Sequence, residues 1–182
     1  MTKACPIAVL ISGNGSNLQA LIDASAQFGY RIVGVISNNP DAFGLQRAEQ
    51  AGIPGIVINH RDFTDRVSFD HALAERLETL QPSLIVLAGF MRILSDKFVM
   101  RFANRVLNIH PSLLPKYPGT NTHQRVLEAG DREHGVSVHF VTEKLDGGPV
   151  IAQSSIPVLP DDTVETLKER IHVEEHRIYP QV

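Results

Sequence analysis

Short apolar runs alternate with helical segments along the first 110 residues, and this rhythm constrains the fold more than any other feature. The runs contain few polar residues, as expected of strands that are buried on both faces of a sheet. We expect strands at 7–11, 32–36, 55–58, 84–88 and 106–109, and helices at 16–28, 43–50, 65–80 and 95–102. This alternation predicts an α/β fold, with a mostly parallel, twisted sheet and helices on both faces.

The pattern changes after Pro111. Val136 to Val141 and Val150 to Ile156 read as strands that are separated only by a glycine-rich loop, so we expect antiparallel strands at one side of the sheet. Thr163 to Val182 carries apolar residues at helical spacing and therefore predicts a final helix.

The composition argues against several classes of protein. The chain has 182 residues and a net charge of −3, which fit one domain and give no electrostatic reason to expect a nucleic-acid or membrane partner. No apolar run approaches the roughly 20 residues that cross a bilayer. Cys5 is the only cysteine, so an internal disulfide is impossible and a reducing, cytoplasmic setting is expected.

A glycine-rich loop, Ser-Gly-Asn-Gly-Ser-Asn at 12–17, follows the first strand and opens a helix. Unpaired N–H groups at a helix N-terminus favour a phosphate, although an ordinary strand-to-helix turn would look the same. A dinucleotide fingerprint fails because Leu18 stands where a third glycine is needed, and because the second strand ends in Ser37-Asn38-Asn39 without an acidic residue. The loop therefore predicts a site for one phosphate of a small ligand.

The fifth strand ends with two polar residues, Asn108 and His110, which alternate with Leu107 and Ile109. Because strand side chains alternate between faces, the amide and the imidazole share one face at the carboxyl end of the strand. Such a pair can stabilise an oxyanion, or it can be a hydrogen-bonded structural pair. The sequence pattern alone is compatible with both interpretations.

The loop between the two antiparallel strands contains Asp146, in the stretch Lys-Leu-Asp-Gly-Gly-Pro. Asp-Gly is by itself a common turn former. If the loop folds over the sheet, however, the carboxylate could face His110 and favour the imidazolium form.

The last helix carries His-Val-Glu-Glu-His at 172–176, which matches a zinc-peptidase pattern. His172 lies off the apolar stripe of Val164, Leu167, Ile171 and Ile178, so solvated helix charges are the competing interpretation. Glu174 and Glu175 flank that stripe on either side, and helix geometry leaves open which of them points inward.

Four segments together resemble the glycinamide ribonucleotide formyltransferase family, within the wider folate-dependent formyltransferases: SGNGSNLQALID, VLAGFMRIL, LNIHPSLLPKYPG and GVSVHFVTEKLDGGPVI. The resemblance spans nearly the whole chain and implies a Rossmann-like formyltransferase fold in one domain, residues 1–182. It implies transfer of a formyl group from 10-formyltetrahydrofolate, a co-substrate, to the amine of glycinamide ribonucleotide, without a metal. Family members continue beyond Val182, so we expect a C-terminal tail to be missing.

The resemblance also implies site residues. Asn108, His110 and Asp146 match the catalytic set. The positions that match ribonucleotide contacts are Gly13, Asn14, Gly15, Ser16, Asn17 and Glu175. The positions that match folate contacts are Arg66, Met91, Arg92, Ile93, Leu94, Asn108 and Val141. Asn121 stands where related sequences usually have histidine, which leaves any role for that position open.

The resemblance implies small-molecule substrates, with no nucleic acid or membrane partner, and a monomer or homodimer. The nearest alternative is formyltetrahydrofolate deformylase or another folate-dependent formyltransferase. More distant alternatives are a phosphate-binding module without catalysis, which leaves Asn108, His110 and Asp146 unexplained, and a zinc hydrolase.

Overall fold

The structure is a computed structural model that describes residues 4–182. Seven strands form one sheet, in the order β3-β2-β1-β4-β5-β6-β7. The strands are β1 (Cys5–Ile11), β2 (Tyr30–Ser37), β3 (Gly55–Val57), β4 (Leu84–Leu87), β5 (Val106–His110), β6 (Glu133–Phe140) and β7 (Val150–Pro157). The helices are α1 (Ser16–Phe28), α2 (Gly44–Gln50), α3 (Arg66–Leu80), α4 (Asp96–Arg101), α5 (Thr122–Ala129) and α6 (Val164–Ile178). Short 3₁₀ turns lie at His60–Asp62 and Tyr179–Gln181.

Strands β1 to β5 pair in parallel, whereas β5 pairs with β6 and β6 with β7 in the antiparallel sense. This arrangement confirms the predicted mostly parallel sheet with antiparallel strands at one side. The strand order reverses between β1 and β4, which are neighbours in the sheet. In open α/β sheets such a reversal opens a crevice at the carboxyl ends of the strands, where ligands bind.

Two apolar cores cover the two faces of the sheet. One core joins β1 and β5 to α1 and α6 through residues such as Val9, Leu18, Leu107 and Ile171. The other core lies on the opposite face, where Leu10 meets residues of α3 and α4. Burial on both faces explains why the parallel strands are continuous apolar runs.

The structure differs from the expected elements in three places. Helix α5 was not predicted, because it has only eight residues and Val126 is the only buried hydrophobe among them. The last helix ends at Ile178 instead of Val182, because Pro180 removes a backbone donor and favours the short 3₁₀ turn. Strand β6 begins at Glu133, three residues before the expected Val136, and Glu133 pairs with Pro157 of β7.

Within residues 4–182, no helix combines the length and the apolar character that crossing a bilayer requires.

The C-terminal 3₁₀ turn is fastened to the sheet by Tyr179, which is 3% exposed. Its hydroxyl oxygen lies 2.8 Å from the carbonyl oxygen of Leu87 and 3.2 Å from that of Leu107, so it can donate to either. Burial raises the pKa of Tyr179 well above its ordinary value, so the hydroxyl keeps its proton. This bond ties the end of the chain to β4 and β5.

Replacing Tyr179 with phenylalanine should lower the free energy of unfolding by about 1–3 kcal/mol, because buried carbonyls lose a donor that water cannot replace. Urea denaturation of both proteins measures the difference. Tyr30→Phe is a matched control: its hydroxyl donates to the carbonyl of Leu21 from a half-buried position, where water can substitute, so its loss should be smaller. Equal stability of the wild type and Tyr179→Phe would show that the hydrogen bond of the Tyr179 hydroxyl does not stabilise the fold.

Candidate active site

The two polar residues of β5 lie on one face of the sheet, as the alternation predicts. The antiparallel register places Asn108 opposite His139 and His110 opposite Ser137, so all four side chains belong to the same face. The opposite face carries Leu107 and Ile109, which are buried in the core beneath α1 and α6. Because Leu107 and Ile109 are buried in the core, the side chains of Asn108 and His110 must lie on the opposite face of the sheet.

Asp146 lies beside His110. Its Oδ2 is 3.6 Å from His110 Nδ1, and the side chains are only 8% and 7% exposed. The loop after β6 thus folds back over the face of β5 and brings together two groups that are 36 positions apart in the sequence (146 minus 110). A carboxylate at this distance stabilises a positive charge on the imidazole.

The loop that carries Asp146 has an unusual backbone. Asp146 has a φ of 49°, in the left-handed region that aspartate tolerates better than most residues. A Cβ on Gly148 would overlap the carbonyl oxygen of Phe140, so only glycine allows the loop to pack this closely against the end of β6. The backbone N–H of Gly119 donates to Asp146 Oδ2 at 2.8 Å and holds the carboxylate in place.

A backbone carbonyl sets the tautomer of His110. His110 Nε2 lies 2.8 Å from the carbonyl oxygen of Tyr117. Because a carbonyl can only accept, Nε2 carries a hydrogen in both the neutral and the protonated ring. Nδ1 is therefore the nitrogen that is not committed to the Tyr117 carbonyl, and it is the one that faces Asp146.

His139, which the sequence interpretation missed, completes this polar cluster. Its Nδ1 lies 2.9 Å from the Phe140 carbonyl and donates to it, which leaves Nε2 as an acceptor 3.4 Å from Asn108 Nδ2. Burial lowers the pKa of His139, so the ring is neutral. The imidazole thereby orients the amide of Asn108, and it also lies 3.8 Å from Asp146 Oδ1.

An elongated cavity of about 250 Å³ opens next to this cluster. Its walls include most of the residues predicted to contact a folate: Met91, Arg92, Ile93, Leu94, Asn108 and Val141. Met91 and Ile93, which line the cavity, expose 82% and 61% of their surface. Arg66 does not line the cavity; it is exposed at the start of α3.

The glycine loop lies at the carboxyl end of β1 and begins α1. Gly15 has a φ of 77°, and a Cβ there would lie 2.8 Å from the Cα of Gly44, so both the backbone angle and the space require glycine. No side chain caps the start of α1, which leaves its backbone N–H groups available to a ligand. Arg47 donates to the backbone and side-chain oxygens of Asn14, both at 2.9 Å, and adds a positive charge beside the loop.

Glu175, rather than Glu174, points inward from α6. Asn17 Nδ2 donates to Glu175 Oε2 at 3.3 Å, and the glutamate is 6% exposed. Burial raises the pKa of Glu175 to about 7. Glu174 instead pairs with Arg177 at 2.6 Å on the outer side of the helix. The carboxyl of Glu175 therefore lies beside the glycine loop.

The cavity and the glycine loop are joined by Ser12. Its hydroxyl accepts from the backbone N–H of Met91 at 2.8 Å and donates to Asn38 Oδ1. The loop that forms one wall of the cavity is thus tied directly to the loop that begins α1.

The two histidines of the zinc-like pattern lie parallel along α6, with ring centroids 6.2 Å apart. His172 Nε2 lies 4.0 Å from Glu175 Oε2, whereas that oxygen is hydrogen-bonded by Asn17. In the part of the chain that the structure describes, no three or more His, Cys, Asp or Glu side chains are grouped to hold a metal ion. Asn121 begins α5 in the left-handed region, and its side chain makes no capping hydrogen bond.

A fold of this kind occurs in enzymes that transfer formyl groups. Residues 5–182 match the family model described as "Formyl transferase", and the chain belongs to that family. It is 52% identical to a phosphoribosylglycinamide formyltransferase of Haemophilus influenzae and 53% identical to one of Escherichia coli, in each case over 97% of this chain and 84% of the relative. The solved phosphoribosylglycinamide formyltransferase of Coxiella burnetii superposes with a TM-score of 0.94 at 54% identity, covering 98% of this chain and 84% of that one.

The raised pKa of Glu175 predicts a specific dependence of stability on pH. Between its ordinary pKa of 4.5 and about 7, the unfolded chain releases this proton while the folded protein keeps it. Stability should therefore fall across this window as pH rises, by on the order of 3 kcal/mol relative to Glu175→Gln, and then level off. Urea denaturation of both proteins from pH 4 to 8 measures this.

Glu174→Gln is the matched control for this experiment. The pKa of Glu174 is lowered by its hydrogen bonds with Arg177 and Ser154, so its stabilising effect is lost as pH falls, opposite to that of Glu175. Parallel pH curves for the wild type and Glu175→Gln would show that the buried carboxyl is not held protonated.

Proposed function

We propose that this chain is a phosphoribosylglycinamide formyltransferase: it transfers the formyl group of 10-formyltetrahydrofolate to the amine of glycinamide ribonucleotide. The products are formylglycinamide ribonucleotide and tetrahydrofolate, in a step of de novo purine biosynthesis. The observation that carries the proposal is the approach of Asp146 to His110 beside a cavity that Asn108 and Asp146 line, in a sheet that also presents the uncapped start of α1 at the glycine loop. The names of the Haemophilus influenzae and Escherichia coli relatives, which share more than half of their aligned residues with this chain, support the choice of substrates.

The proposed chemistry centres on the formyl oxygen. The substrate amine attacks the formyl carbon, a C–N bond forms, and negative charge develops on the oxygen. Asn108 Nδ2 and a protonated His110 stabilise that charge, while Asp146 stabilises the imidazolium. The intermediate then expels the folate nitrogen, and a proton from the attacking amine ends on this leaving nitrogen. His110 Nδ1 is the atom suited to move that proton, because Nε2 is committed to the Tyr117 carbonyl.

The two substrates occupy adjoining places in this proposal. The phosphate of the ribonucleotide binds the loop from Gly13 to Asn17, where the free N–H groups of α1 and the charge of Arg47 favour an anion. Glu175 accepts hydrogen bonds from the ribose. The folate lies in the cavity along Met91 to Leu94 and Val141, and Arg66 meets the carboxylates of its tail. Orientation of both substrates in one cleft supplies much of the rate enhancement.

We infer that the partners of this enzyme are its small-molecule substrates, and that it works in the cytoplasm as a monomer or homodimer. The net charge of −3 and the single cysteine support this interpretation.

Asn108→Ala and His110→Ala should each lower kcat by about 10²–10³, because each removes a group that stabilises the developing oxyanion. Folate absorbance with glycinamide ribonucleotide as acceptor measures turnover, and circular dichroism checks the fold. His71→Ala is the control, since His71 lies on α3 with a side chain that is 65% exposed. Near-normal turnover in either β5 variant would remove that residue from the mechanism. Rapid formate release without the acceptor would instead favour a deformylase.

The glycine loop predicts a strong preference for a phosphorylated acceptor. Glycinamide ribonucleoside, which lacks the phosphate, should react with a kcat/KM at least about 10²-fold lower, since two charged hydrogen bonds are each worth about 1.5–3 kcal/mol. Arg47→Ala should raise KM for the ribonucleotide and leave the kcat/KM of the ribonucleoside nearly unchanged. Steady-state kinetics of both proteins with both acceptors give the comparison. Equal losses with the two acceptors would place the phosphate elsewhere.

A further inference from the structure

One irregular loop contacts both His110 and Asp146 through its backbone. In this segment, which spans 116–120 and which we call the clamp loop, the carbonyl of Tyr117 lies 2.8 Å from His110 Nε2. Two residues later, the N–H of Gly119 donates to Asp146 Oδ2 at the same distance. The acid–base pair of the proposed mechanism is therefore held together by a third segment that contributes no side chain to either contact.

The clamp loop has no regular structure that could hold it in this shape. It lies between β5 and α5, and both Tyr117 and Gly119 have positive φ angles, of 52° and 83°. For tyrosine the left-handed region is disfavoured by its Cβ, so such a backbone persists only when its surroundings impose it. Contacts from outside the loop must supply that constraint.

Those contacts converge on Asp131. The hydroxyl of Tyr117 donates to Asp131 Oδ2 at 2.9 Å, and Lys116 Nζ lies 3.0 Å from the same oxygen. The bonds from Lys116 and Tyr117 lower the pKa of Asp131, so the carboxylate stays charged. Asp131 itself belongs to the framework, because its backbone N–H donates to the Val126 carbonyl of α5.

Arg125 of α5 holds the same loop from the other side. Its guanidinium lies 5.2 Å from the centroid of the Tyr117 ring, a cation–π contact, and Nη1 donates to the Pro118 carbonyl at 2.6 Å. The tyrosine side chain is thus fixed at its ring by α5 and at its hydroxyl by the turn before β6. Its backbone carbonyl is fixed as a consequence.

We propose that Tyr117 and Asp131 are positioning residues for formyl transfer, which hold the clamp loop so that its backbone keeps His110 in one tautomer and Asp146 beside it. This inference rests on the proposed function for its kinetic effect. Neither residue lines the folate cavity or belongs to the glycine loop. Loss of the hydroxyl–carboxylate bond should therefore act on kcat and leave both KM values unchanged.

Tyr117→Phe removes the hydroxyl alone and keeps the ring on Arg125, so the fold should survive. We expect kcat to fall about tenfold, with KM for each substrate within twofold of the wild type. Asp131→Ala should have a similar effect, whereas Asp131→Asn should keep much of the activity, because its amide oxygen can still accept from the tyrosine. The double variant Tyr117→Phe/Asp131→Ala should be no slower than the slower single variant, because both changes break one interaction.

The control is Glu78→Gln, which breaks an exposed ion pair with Arg101 between α3 and α4 and should leave kcat unchanged. Unchanged kcat in both Tyr117→Phe and Asp131→Ala would overturn the proposal. A lower kcat/KM that comes entirely from a higher KM would also overturn the proposal, since it would indicate damage to substrate binding.

A second measurement does not depend on turnover. Nitrogen-15 NMR of histidine-labelled protein, with the His110 signals assigned from His110→Asn, should show a hydrogen on Nε2 in the wild type and mixed tautomers in Tyr117→Phe. The same fixed tautomer in both proteins would overturn the clamp even if kcat fell. If the wild type does not turn over glycinamide ribonucleotide, the proposed function fails, and the NMR comparison still tests the clamp.

Discussion

The placement of β5 between a parallel and an antiparallel neighbour is the constraint on which the rest of the site depends. Its apolar residues, Leu107 and Ile109, are buried beneath α1 and α6, and the strand alternation then forces Asn108 and His110 to the other face. A shift of the pairing by one residue would bury the polar groups in the core and expose the apolar ones. The orientation of the reacting groups is therefore inherited from the packing of the core.

Burial determines the protonation of several histidines in and around the polar cluster. His139 is held neutral by burial and orients the amide of Asn108, whereas Oδ2 of Asp146 lies 3.6 Å from Nδ1 of His110. His123 and His134 form a further buried pair, with a 2.9 Å contact between rings, and burial lowers the pKa of each to about 4. Burial therefore keeps these three imidazoles neutral.

Features that depend on local periodicity were predictable from the sequence. The strands, the α1 helix and the shared face of Asn108 and His110 all follow from spacing between neighbours in the chain. The position of Asp146 could not be derived from local spacing. It depends on the left-handed backbone of Asp146 itself and on a hydrogen bond from Gly119, 27 residues away. His139 was missed because its relation to Asn108 exists only in the strand register. The Tyr117 carbonyl was missed because no side-chain pattern reports on a backbone atom in an irregular loop.

The contact between Gly15 and Gly44 limits the mobility of the glycine loop. The starts of α1 and α2 approach so closely that neither glycine can carry a side chain: an added Cβ on Gly44 would overlap the Ile11 side chain. The glycine loop therefore cannot shift without moving α2 and the strand beneath it. A loop fixed in this way is rigid before any ligand binds, so the entropy of ordering it is lost when the chain folds rather than on binding.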